Sequence, residues 1–358
     1  MNCMSRTGVA NGITCPPRHF GHLYTVLIAL AALHRKGEWA KRLRGDKTRS
    51  MSTVSFRFSI DKAAEQLRSG GLVGLPTETV YGLAADATQG EAIARLYEIK
   101  GRPHFNPLIV HVLDRRDAAH ITEMEPRADQ LISRFWPGPL TLVLPSKRGG
   151  PVADIALAGL DTVAIRAPLH PVARALLAVF GGPIVAPSAN RSGRISPTIA
   201  GHVVAEFGTD IPVLDGGPCT VGLESTIVGL TGERPTLLRP GGITAQQIEE
   251  ILGEPLAEPG GGIDAPGMMA SHYAPDAAVR LDAKAATEDE VLLGFGGTPG
   301  ATLDLSPSGD LIEAAANLFA HMRELDRHGR PIAVAPIPED GLGKAINDRL
   351  RRAAAPRN

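Results

Sequence analysis

The sequence contains little cysteine: Cys3, Cys15 and Cys219 in a chain of 358 residues. Three cysteines do not provide the paired framework that holds small secreted domains together, and two of them lie within the first fifty residues. This composition indicates a reducing compartment, and we expect a cytoplasmic protein.

The sequence also lacks a long apolar run. The stretch Leu23–Leu33 has 11 residues, whereas a membrane-spanning helix needs about 20. Basic residues follow it without a small-residue cleavage site, which is atypical of a secretory signal. We therefore expect no membrane association and no secretion.

Strong net charge is absent from the whole chain, whose formal charge is −1, but the charge is unevenly distributed. Residues 1–50 contain nine Lys and Arg against two Asp and Glu, whereas residues 51–358 carry a net charge of −8. A net-acidic body argues against binding to nucleic acid through bulk electrostatics, although a local basic cleft remains possible.

The first fifty residues differ from the rest in composition as well as charge. Met51 is followed directly by a strand-like run, Val54–Phe58, and then by a helical pattern, as at a natural start. We expect Met51 to be the initiator and residues 1–50 to be a non-native leader. A disordered or weakly helical basic extension is the alternative.

Several common catalytic motifs are missing. The sequence has no GxxxxGK[ST] phosphate loop, no HExxH, no paired CxxC and no GxSxG. Its eleven histidines show no ligand spacing, so we expect no metal held by protein nitrogen or sulfur. Magnesium carried by a phosphate substrate remains possible, because it needs few protein ligands.

Short apolar runs alternate with helical periods from Ser59 onward. A helix over DKAAEQLRSGG and the strand LVGLP come first. Further helices are predicted at Glu91–Ile99, Arg127–Phe135, Pro171–Phe180, Ile199–Phe207 and Ala245–Leu252. Strands are predicted at Leu108–Val112, Thr141–Leu144, Thr162–Arg166, Ile184–Ala186, Ile211–Leu214, Ser225–Val228 and Thr236–Leu238. This alternation predicts an α/β domain with a mixed sheet over residues 51–252.

A Pro- and Gly-rich stretch, residues 253–275, interrupts the periodicity and reads as a linker. A second alternation over residues 276–358 predicts a smaller Rossmann-like α/β domain. Its elements are the strands Val279–Leu281, Val291–Phe295 and Ile332–Ala335 and the helices Leu311–Leu325 and Gly343–Ala354. The segment GFGGTPG is only a partial dinucleotide fingerprint, because Pro299 stands where the third glycine belongs.

Polar side chains cluster where the predicted elements end, which is where binding residues usually lie. Four cations, Lys100, Arg102, Arg166 and Arg239, accompany many Ser, Thr and Asn side chains. Arg166 falls inside an apolar strand, where a charge is costly unless it is paired. Together, these cationic and polar side chains suit the binding of a polyphosphate and a carboxylate. Each Ser or Thr by itself, however, more often stabilises a turn or caps a helix.

Seven segments in this order resemble the threonylcarbamoyl-AMP synthase family with its YrdC-like fold: PTETVYGLAAD, YEIKGRPHFNPLIVHV, FWPGPLTLVL, TVAIRAP, PIVAPSANRSGRISPT, DGGPCTVGLESTIV and LLRPGG. PGMMASHYAP and GLGKAINDRLRRAA resemble the long form of that family, which has an extra C-terminal domain. The resemblance implies a twisted mixed-sheet domain with a basic cleft. It also implies synthesis of threonylcarbamoyl-AMP and pyrophosphate from L-threonine, bicarbonate and ATP. We expect Mg²⁺ to accompany ATP on the basis of the chemistry of ATP alone.

The family's KxR and SxN signatures imply roles for individual residues of this chain. They place catalysis on Lys100, Arg102, Ser188 and Asn190. The resemblance implies ATP contacts from Arg102, Asn106, Thr162, Ser188, Ser196, Arg239 and the linker residue Tyr273. It implies an L-threonine pocket formed by Thr79, His111, Arg166, Ala186 and Ser225, and no metal ligand from the protein.

The resemblance further implies that the product serves a tRNA threonylcarbamoyl transferase complex acting on tRNAs that read ANN codons. The chain departs from the family pattern at Ala84, where many relatives have Gly, and at MMAS before His272. Two alternatives remain: an RNA-binding or regulatory protein with the same cleft and at most weak RNA contact, and a carbamoyl-transfer factor. The second would need zinc-finger cysteine pairs, which are missing here.

Overall fold

An eight-stranded mixed sheet forms the larger domain in the computed structural model, which describes residues 60–260 and 272–356. The predictions for residues 1–50, for Met51 and Val54–Phe58, and for the MMAS segment lie outside these residues. The strands are β1 Val73–Leu75, β2 Gly82–Asp86, β3 Ile109–His111, β4 Leu140–Pro145, β5 Thr162–Arg166, β6 Ile184–Val185, β7 Thr226–Gly229 and β8 Thr236–Arg239. Their order in the sheet is β1-β2-β6-β3-β5-β4-β7-β8.

The sheet is mixed because its central pairs differ in direction. Strand β3 runs parallel to β5, and β4 runs parallel to β7, whereas the other five neighbouring pairs are antiparallel. The parallel pairing of β3 with β5 brings the carboxyl ends of both strands to the same edge.

Eight helices accompany this sheet in the described residues. Helix α1 covers residues 60–68. The others are α2 Gly90–Lys100, α3 Arg115–Ile121, α4 Pro126–Phe135, α5 Asp154–Leu157, α6 Pro171–Phe180, α7 Ala200–Phe207 and α8 Ala245–Leu252. Local sequence fixes several of their ends: Asp114 caps α3, and Thr244 with Gln247 forms a reciprocal capping box on α8.

Both faces of the sheet are covered, because side chains alternate along each strand. In β2, Ala84 joins the apolar cluster formed with α1 and α6, while Leu83 and Ala85 join the larger cluster formed with α2, α3, α4 and α8. The central strands carry a small third cluster, which includes Ile109 and Ala164. This third cluster lies beside the polar side chains described below.

The smaller domain is a four-stranded parallel sheet of order β11-β10-β12-β9. Its elements are β9 Val279–Arg280, β10 Val291–Gly294, β11 Leu303–Asp304, β12 Ile332–Val334, α9 Leu311–Asp326 and α10 Gly343–Ala354. The Rossmann-like expectation is confirmed in architecture. The loop after β10, however, is filled by the chain itself, because the Asp304 carboxylate accepts hydrogen bonds from the backbone N–H groups of Gly297 (3.1 Å), Thr298 (3.1 Å) and Ser306 (3.0 Å).

The predicted mixed α/β fold is confirmed, with differences in short elements. The strand expected at Ile211–Leu214 is wrong: it forms only one isolated bridge, between Gly74 and Val213. Pro212 lacks the N–H group that would extend the pairing. Strand β2 and the helices α3 and α5 were not predicted, because they are short and their sequences contain no clear apolar period.

The two domains contact each other through main chain as well as side chains. A Cβ on Gly222 would lie 2.4 Å from the Ala315 carbonyl oxygen and 2.4 Å from the Ala316 Cα, both in α9. Only glycine, here with a φ of 73°, allows this approach. The loop that contains Gly222 is therefore packed directly on the smaller domain. In the described residues, no helix is long and apolar enough to cross a membrane.

The core of the smaller domain depends on Phe319 of α9, which is fully buried. We predict that Phe319→Ala lowers the free energy of unfolding by about 3–5 kcal/mol, because it removes apolar contacts and leaves a cavity. Urea unfolding measures this change. Ile312→Ala on the same helix is the control, since Ile312 is 67% exposed, and it should change stability by less than about 0.5 kcal/mol. Equal effects of the two substitutions would contradict the assignment of the core.

Candidate active site

A cavity of about 50 Å³ lies beside the central strands of the larger sheet. Nine residues that the sequence singled out line it: Thr79, Arg102, His111, Arg166, Ala186, Ser188, Ser225, Arg239 and Tyr273. They come from seven of the segments quoted above, so the fold brings together residues that are far apart in sequence. Glu224 and His272 also line the cavity and were not predicted.

The two-residue period of β-strands explains this convergence. His111 shares a face of β3 with Ile109, and Arg166 shares a face of β5 with Ala164. His111 and Arg166 are register partners at the ends of their parallel strands. The sheet therefore places an imidazole and a guanidinium side by side above a small apolar patch.

Arg166 is buried in a network with the segment Thr77–Thr79. Its Nη2 forms an ion pair with Glu78 Oε1, its Nη1 donates to Thr79 Oγ1 (2.9 Å), and its Nε donates to the Gly138 carbonyl oxygen (3.1 Å). Arg166 and Glu78 are each about 4% exposed. These contacts use three of the five guanidinium N–H groups, so the side chain is fixed and still has donors for a ligand.

His111 lies in the same buried network of the cavity wall. Burial, reinforced by the charge of Arg166, lowers the pKa of His111 from 6.5 to about 3. Its Nδ1 lies 3.3 Å from the Ile109 carbonyl oxygen. Donation from Nδ1 leaves a lone pair on Nε2, so the neutral ring can accept a hydrogen bond from a ligand.

Lys100 and Arg102 form a buried cationic pair at the end of α2. Lys100 Nζ donates to the carbonyl oxygens of Ser188 (2.6 Å) and Asn190 (2.5 Å), and Arg102 donates to those of Asn106 (3.2 Å) and Pro107 (2.8 Å). Burial lowers the pKa of Lys100 well below its ordinary value, and the nearby Arg102 acts in the same direction. Burial also lowers the pKa of Arg102 to about 10.

Neither of these two cations forms an ion pair with a carboxylate among the residues that the structure describes. Two buried cationic side chains whose hydrogen bonds go to carbonyl oxygens and, for Arg102, to the Tyr97 side chain create a region of positive potential. An anionic ligand would relieve the cost of their burial.

Ser225 is held between Thr141 and Arg239 on the opposite side of the cavity. Its hydroxyl lies 2.7 Å from Thr141 Oγ1 and accepts from Arg239 Nη2 (3.1 Å). Arg239 also donates from Nε (3.1 Å) and Nη2 (2.9 Å) to the Ser225 carbonyl oxygen. A Cβ on Gly241 would lie 2.4 Å from the Glu224 carbonyl oxygen, so glycine is needed for this packing.

Tyr273 closes the cavity from the linker side. It is 1% exposed, and its ring stacks on Phe319 with centroids 5.5 Å apart. The backbone of Tyr273 has a φ of 63°, in the left-handed region that favours glycine. This conformation is maintained by neighbours: His272 N donates to Arg352 O (3.2 Å), and Ala274 N donates to Gly193 O (2.8 Å).

Comparisons with known proteins agree with this geometry. Residues 65–241 match a family model described as telomere recombination, which is labelled for the Sua5, YciO and YrdC proteins, and residues 243–355 match the threonylcarbamoyl-AMP synthase C-terminal domain. The threonylcarbamoyl-AMP synthase of Pyrococcus abyssi is 41% identical over 317 residues, which cover 82% of this chain and 93% of that protein. The chain belongs to the threonylcarbamoyl-AMP synthase family.

Two further comparisons support membership of the threonylcarbamoyl-AMP synthase family. The Bacillus subtilis enzyme of that name is 40% identical over 344 residues, which cover 88% of this chain and 98% of that protein. The crystal structure of P. abyssi Sua5 complexed with L-threonine matches with a TM-score of 0.77 and 39% identity, covering 83% of this chain and 94% of that one. The expected YrdC-like fold with a C-terminal domain is thus confirmed.

Five residues that the family resemblance singled out do not line the cavity: Lys100, Asn106, Thr162, Asn190 and Ser196. Four of them lie behind it. Lys100 supports the backbone of Ser188 and Asn190, the Asn106 carbonyl oxygen accepts from Arg102, and Ser196 Oγ donates to Glu224 Oε1 (2.5 Å).

Thr162 lies elsewhere. It begins β5, pairs with Pro145 and is partly exposed. Arg166 lies four positions further along β5, so the two Cα atoms are roughly 13 Å apart. The structure therefore does not bring Thr162 to the cavity.

Four structurally important residues were missed: Glu78, Glu224, His272 and Arg349. Glu78 and Glu224 lie within the quoted segments PTETVYGLAAD and DGGPCTVGLESTIV, each directly before a residue that was singled out, Thr79 and Ser225. A carboxylate by itself does not indicate a site for anions, so the sequence carries no signal for either one. Their cationic partners, Arg166 and Arg349, are distant in sequence, and only the fold reveals the pairs.

The lowered pKa of His111 allows the burial of this side chain to be tested. The unfolded chain, with a histidine pKa near 6.5, takes up a proton before the folded chain does, so stability falls as the pH drops below about 6.5. We predict that His111→Asn reduces the loss of stability between pH 7 and pH 5 by about 1–2 kcal/mol relative to the wild type.

Urea unfolding at the two pH values measures the difference. His328→Asn serves as a control, because His328 is exposed at the end of α9, and this variant should keep the wild-type pH dependence. Identical pH dependence in His111→Asn and the wild type would show that His111 is not buried as a neutral ring.

Proposed function

We propose that the cavity is the site at which the chain forms threonylcarbamoyl-AMP and pyrophosphate from L-threonine, bicarbonate and ATP. One observation carries the proposal. The buried pair Lys100 and Arg102, without a carboxylate partner among the described residues, adjoins Arg166, whose guanidinium is fixed with donors to spare. A region for phosphates thus lies next to a region for an amino-acid carboxylate.

The amino-acid half of the site is built around Arg166. Its remaining N–H groups would hold the L-threonine carboxylate, while Glu78 and Thr79 keep the guanidinium in place. Neutral His111 would accept a hydrogen bond from the substrate. Ser225 and the backbone at Ala186, which line the same cavity, would complete the pocket.

The nucleotide half is built around the ends of α2 and β6. Arg102, Ser188, Arg239 and Tyr273 line it and would contact ATP, and Lys100 would act from beneath Ser188. An anionic phosphate would raise the lowered pKa of Lys100 and favour its charged form. Asn106 and Asn190 would act from the second layer, through the contacts described above. The ATP contact predicted for Thr162 stays a prediction, since Thr162 does not line the cavity.

The Ser196 hydroxyl suggests which part of ATP it would meet. Its proton is donated to Glu224, so the oxygen offers only lone pairs to a ligand. Such an acceptor suits a ribose hydroxyl or the adenine amino group rather than a phosphate oxygen. Ser196 would therefore lie on the nucleoside side of Arg102.

The reaction needs no covalent intermediate with the protein. The L-threonine nitrogen and bicarbonate form a carbamate with loss of water, and a carbamate oxygen attacks the α-phosphorus. The bond from that phosphorus to the pyrophosphate oxygen breaks. Positive charge from Lys100 and Arg102 stabilises the developing negative charge, so positioning and electrostatics provide the acceleration.

Magnesium would enter with ATP. The described part of the chain contains no cluster of three or more His, Cys, Asp or Glu that could hold a metal. The cations and hydroxyls of the cavity suit phosphates, which themselves bind Mg²⁺ and let it neutralise their charge. No protein ligand for the ion is proposed.

Ligand entry requires the cavity to enlarge. Its volume of about 50 Å³ is far below the roughly 300–1,000 Å³ typical of small-molecule sites. His272 and Tyr273 contribute part of its wall. We therefore assign Tyr273 to a position that opens for ATP and closes over it.

The product is a labile mixed anhydride, so a transferase must consume it promptly. We propose that a tRNA threonylcarbamoyl transferase complex does so in the cytoplasm, on tRNAs reading ANN codons. The alternative of an RNA-binding or regulatory protein is less well supported, because the body is net acidic and one cavity is lined by Arg102, Arg166, Arg239, Ser188 and Ser225. Strongly salt-dependent RNA binding without pyrophosphate release would favour that alternative.

We predict that pyrophosphate release from ATP requires both L-threonine and bicarbonate. Omitting either substrate should reduce release to the background rate, because the carbamate that attacks the α-phosphorus cannot form. A coupled phosphate assay on the purified chain measures this directly. Release that persists without L-threonine, or none with all three substrates, would contradict the proposal.

We predict that Arg166→Lys raises the KM for L-threonine by about tenfold or more. Lysine keeps the charge but cannot contact Glu78, Thr79 and a carboxylate in one plane. The KM for ATP should change by less than about twofold. Arg115→Ala is a matched control, because Arg115 pairs with Asp129 at the surface. An unchanged KM for L-threonine in folded Arg166→Lys would exclude Arg166 as the carboxylate ligand.

A further inference from the structure

Arg349 of α10 connects the C-terminal domain to Glu224 in the cavity wall. It is fully buried. Its Nε donates to Glu224 Oε2 (3.0 Å), and its Nη1 donates to the Pro240 carbonyl oxygen (2.6 Å) and to Asp348 Oδ2 (2.9 Å). Its guanidinium carbon lies 5.4 Å from the centre of the Tyr273 ring. One side chain thus contacts the two loops of the larger domain and the linker.

Glu224 connects Arg349 to the cavity. Glu224 lines the cavity, and its carboxylate accepts from Arg349 through Oε2 and from Ser196 Oγ through Oε1. Without Arg349 this buried carboxylate would lack its cation and would face an incoming triphosphate with an uncompensated negative charge. Arg349 therefore both orients Glu224 and cancels its charge.

The same side chain also restrains Tyr273. The ring of Tyr273 is held between Phe319, at 5.5 Å, and Arg349, at 5.4 Å. A guanidinium near an aromatic ring at this distance is attracted by the ring's quadrupole. Because the Tyr273 backbone is in an unfavourable left-handed conformation, contacts of this kind are needed to keep the residue in place.

A second arginine of the smaller domain secures the neighbouring segment. Arg323 of α9 donates from Nη2 to the Ile195 carbonyl oxygen and lies within 3.4 Å of the Ser196 carbonyl oxygen through Nε. Gly222, in the loop before Glu224, packs on the backbone of α9. The backbones that carry Ser196 and Glu224 are therefore both held by the smaller domain.

We propose that Arg349 is a positioning residue for the ATP half of the site, holding Glu224, the Ser196 hydroxyl and the Tyr273 ring in the geometry that receives the nucleotide. The inference rests on the proposed function. By this inference, the C-terminal domain contributes to nucleotide binding through one guanidinium, which contacts neither L-threonine nor the reacting atoms.

The test compares Arg349→Met, Arg349→Lys and Glu224→Gln in the full chain. Methionine fills most of the volume without charge, lysine restores the charge without the planar fork, and glutamine removes the partner's charge. Arg351→Ala is the matched control, because Arg351 lies on the same helix in an exposed pair with Glu339. Thermal unfolding establishes that each variant is folded.

We expect Arg349→Met to raise the KM for ATP about tenfold and to weaken binding of a non-hydrolysable ATP analogue in calorimetry by a similar factor. The KM for L-threonine should change by less than about twofold. Arg349→Lys should recover part of the loss, and Arg351→Ala should match the wild type. The double variant Arg349→Met/Glu224→Gln should bind ATP no more weakly than Arg349→Met, since the unpaired charge is gone.

A folded Arg349→Met with wild-type KM for ATP, or with both KM values raised equally, would overturn the inference. If Arg349→Met does not fold, Arg349→Lys and Glu224→Gln replace it. A wild-type KM for ATP in both of these folded variants would then overturn the inference. Failure of the proposed function would be recognised separately, because the wild type itself would then release no pyrophosphate with all three substrates. A wild type that is active beside an Arg349→Met that binds ATP normally refutes the positioning role alone.

Discussion

The buried ion pair between Arg166 and Glu78 is the interaction on which the site depends. A guanidinium inside an apolar strand is tolerated only with a partner, and Glu78 provides both the opposite charge and a fixed orientation. Glu78 is itself held by the backbone N–H groups of Leu169 (3.0 Å) and His170 (3.3 Å). With Arg166 balanced in this way, Lys100 and Arg102 are the buried cations without a carboxylate partner among the described residues, and we propose that they serve the phosphates.

The same principle operates between the domains. Glu224 is balanced by Arg349 rather than by a cation of its own domain. Glu224, which lines the cavity, and Glu78, which lies behind Thr79 and Arg166, therefore each belong to an ion pair. These pairs join Glu78 to β5 and Glu224 to α10. The two ion pairs therefore neutralise the carboxylates and also hold together the segments that form the site.

The sequence predicts the architecture and most of the cavity wall. Strand periodicity locates β3 and β5 with His111 and Arg166 on them, because apolar alternation is a local property. Carboxylates such as Glu224 could not be predicted, since their role depends on partners more than a hundred residues away. For Thr162 the sequence locates the strand but not its position in the sheet: the residue begins β5, at the other end from Arg166, and only the register of the sheet shows this.

The loop after β10 has a consequence for the second domain. Asp304 occupies the backbone N–H groups that in a nucleotide-binding fold would receive a phosphate. A tethered carboxylate has a far higher effective concentration than any free anion, so it outcompetes phosphate in the cell. The domain thus retains the outline of a nucleotide-binding unit, and one of its own carboxylates occupies the position in that loop where a phosphate would bind.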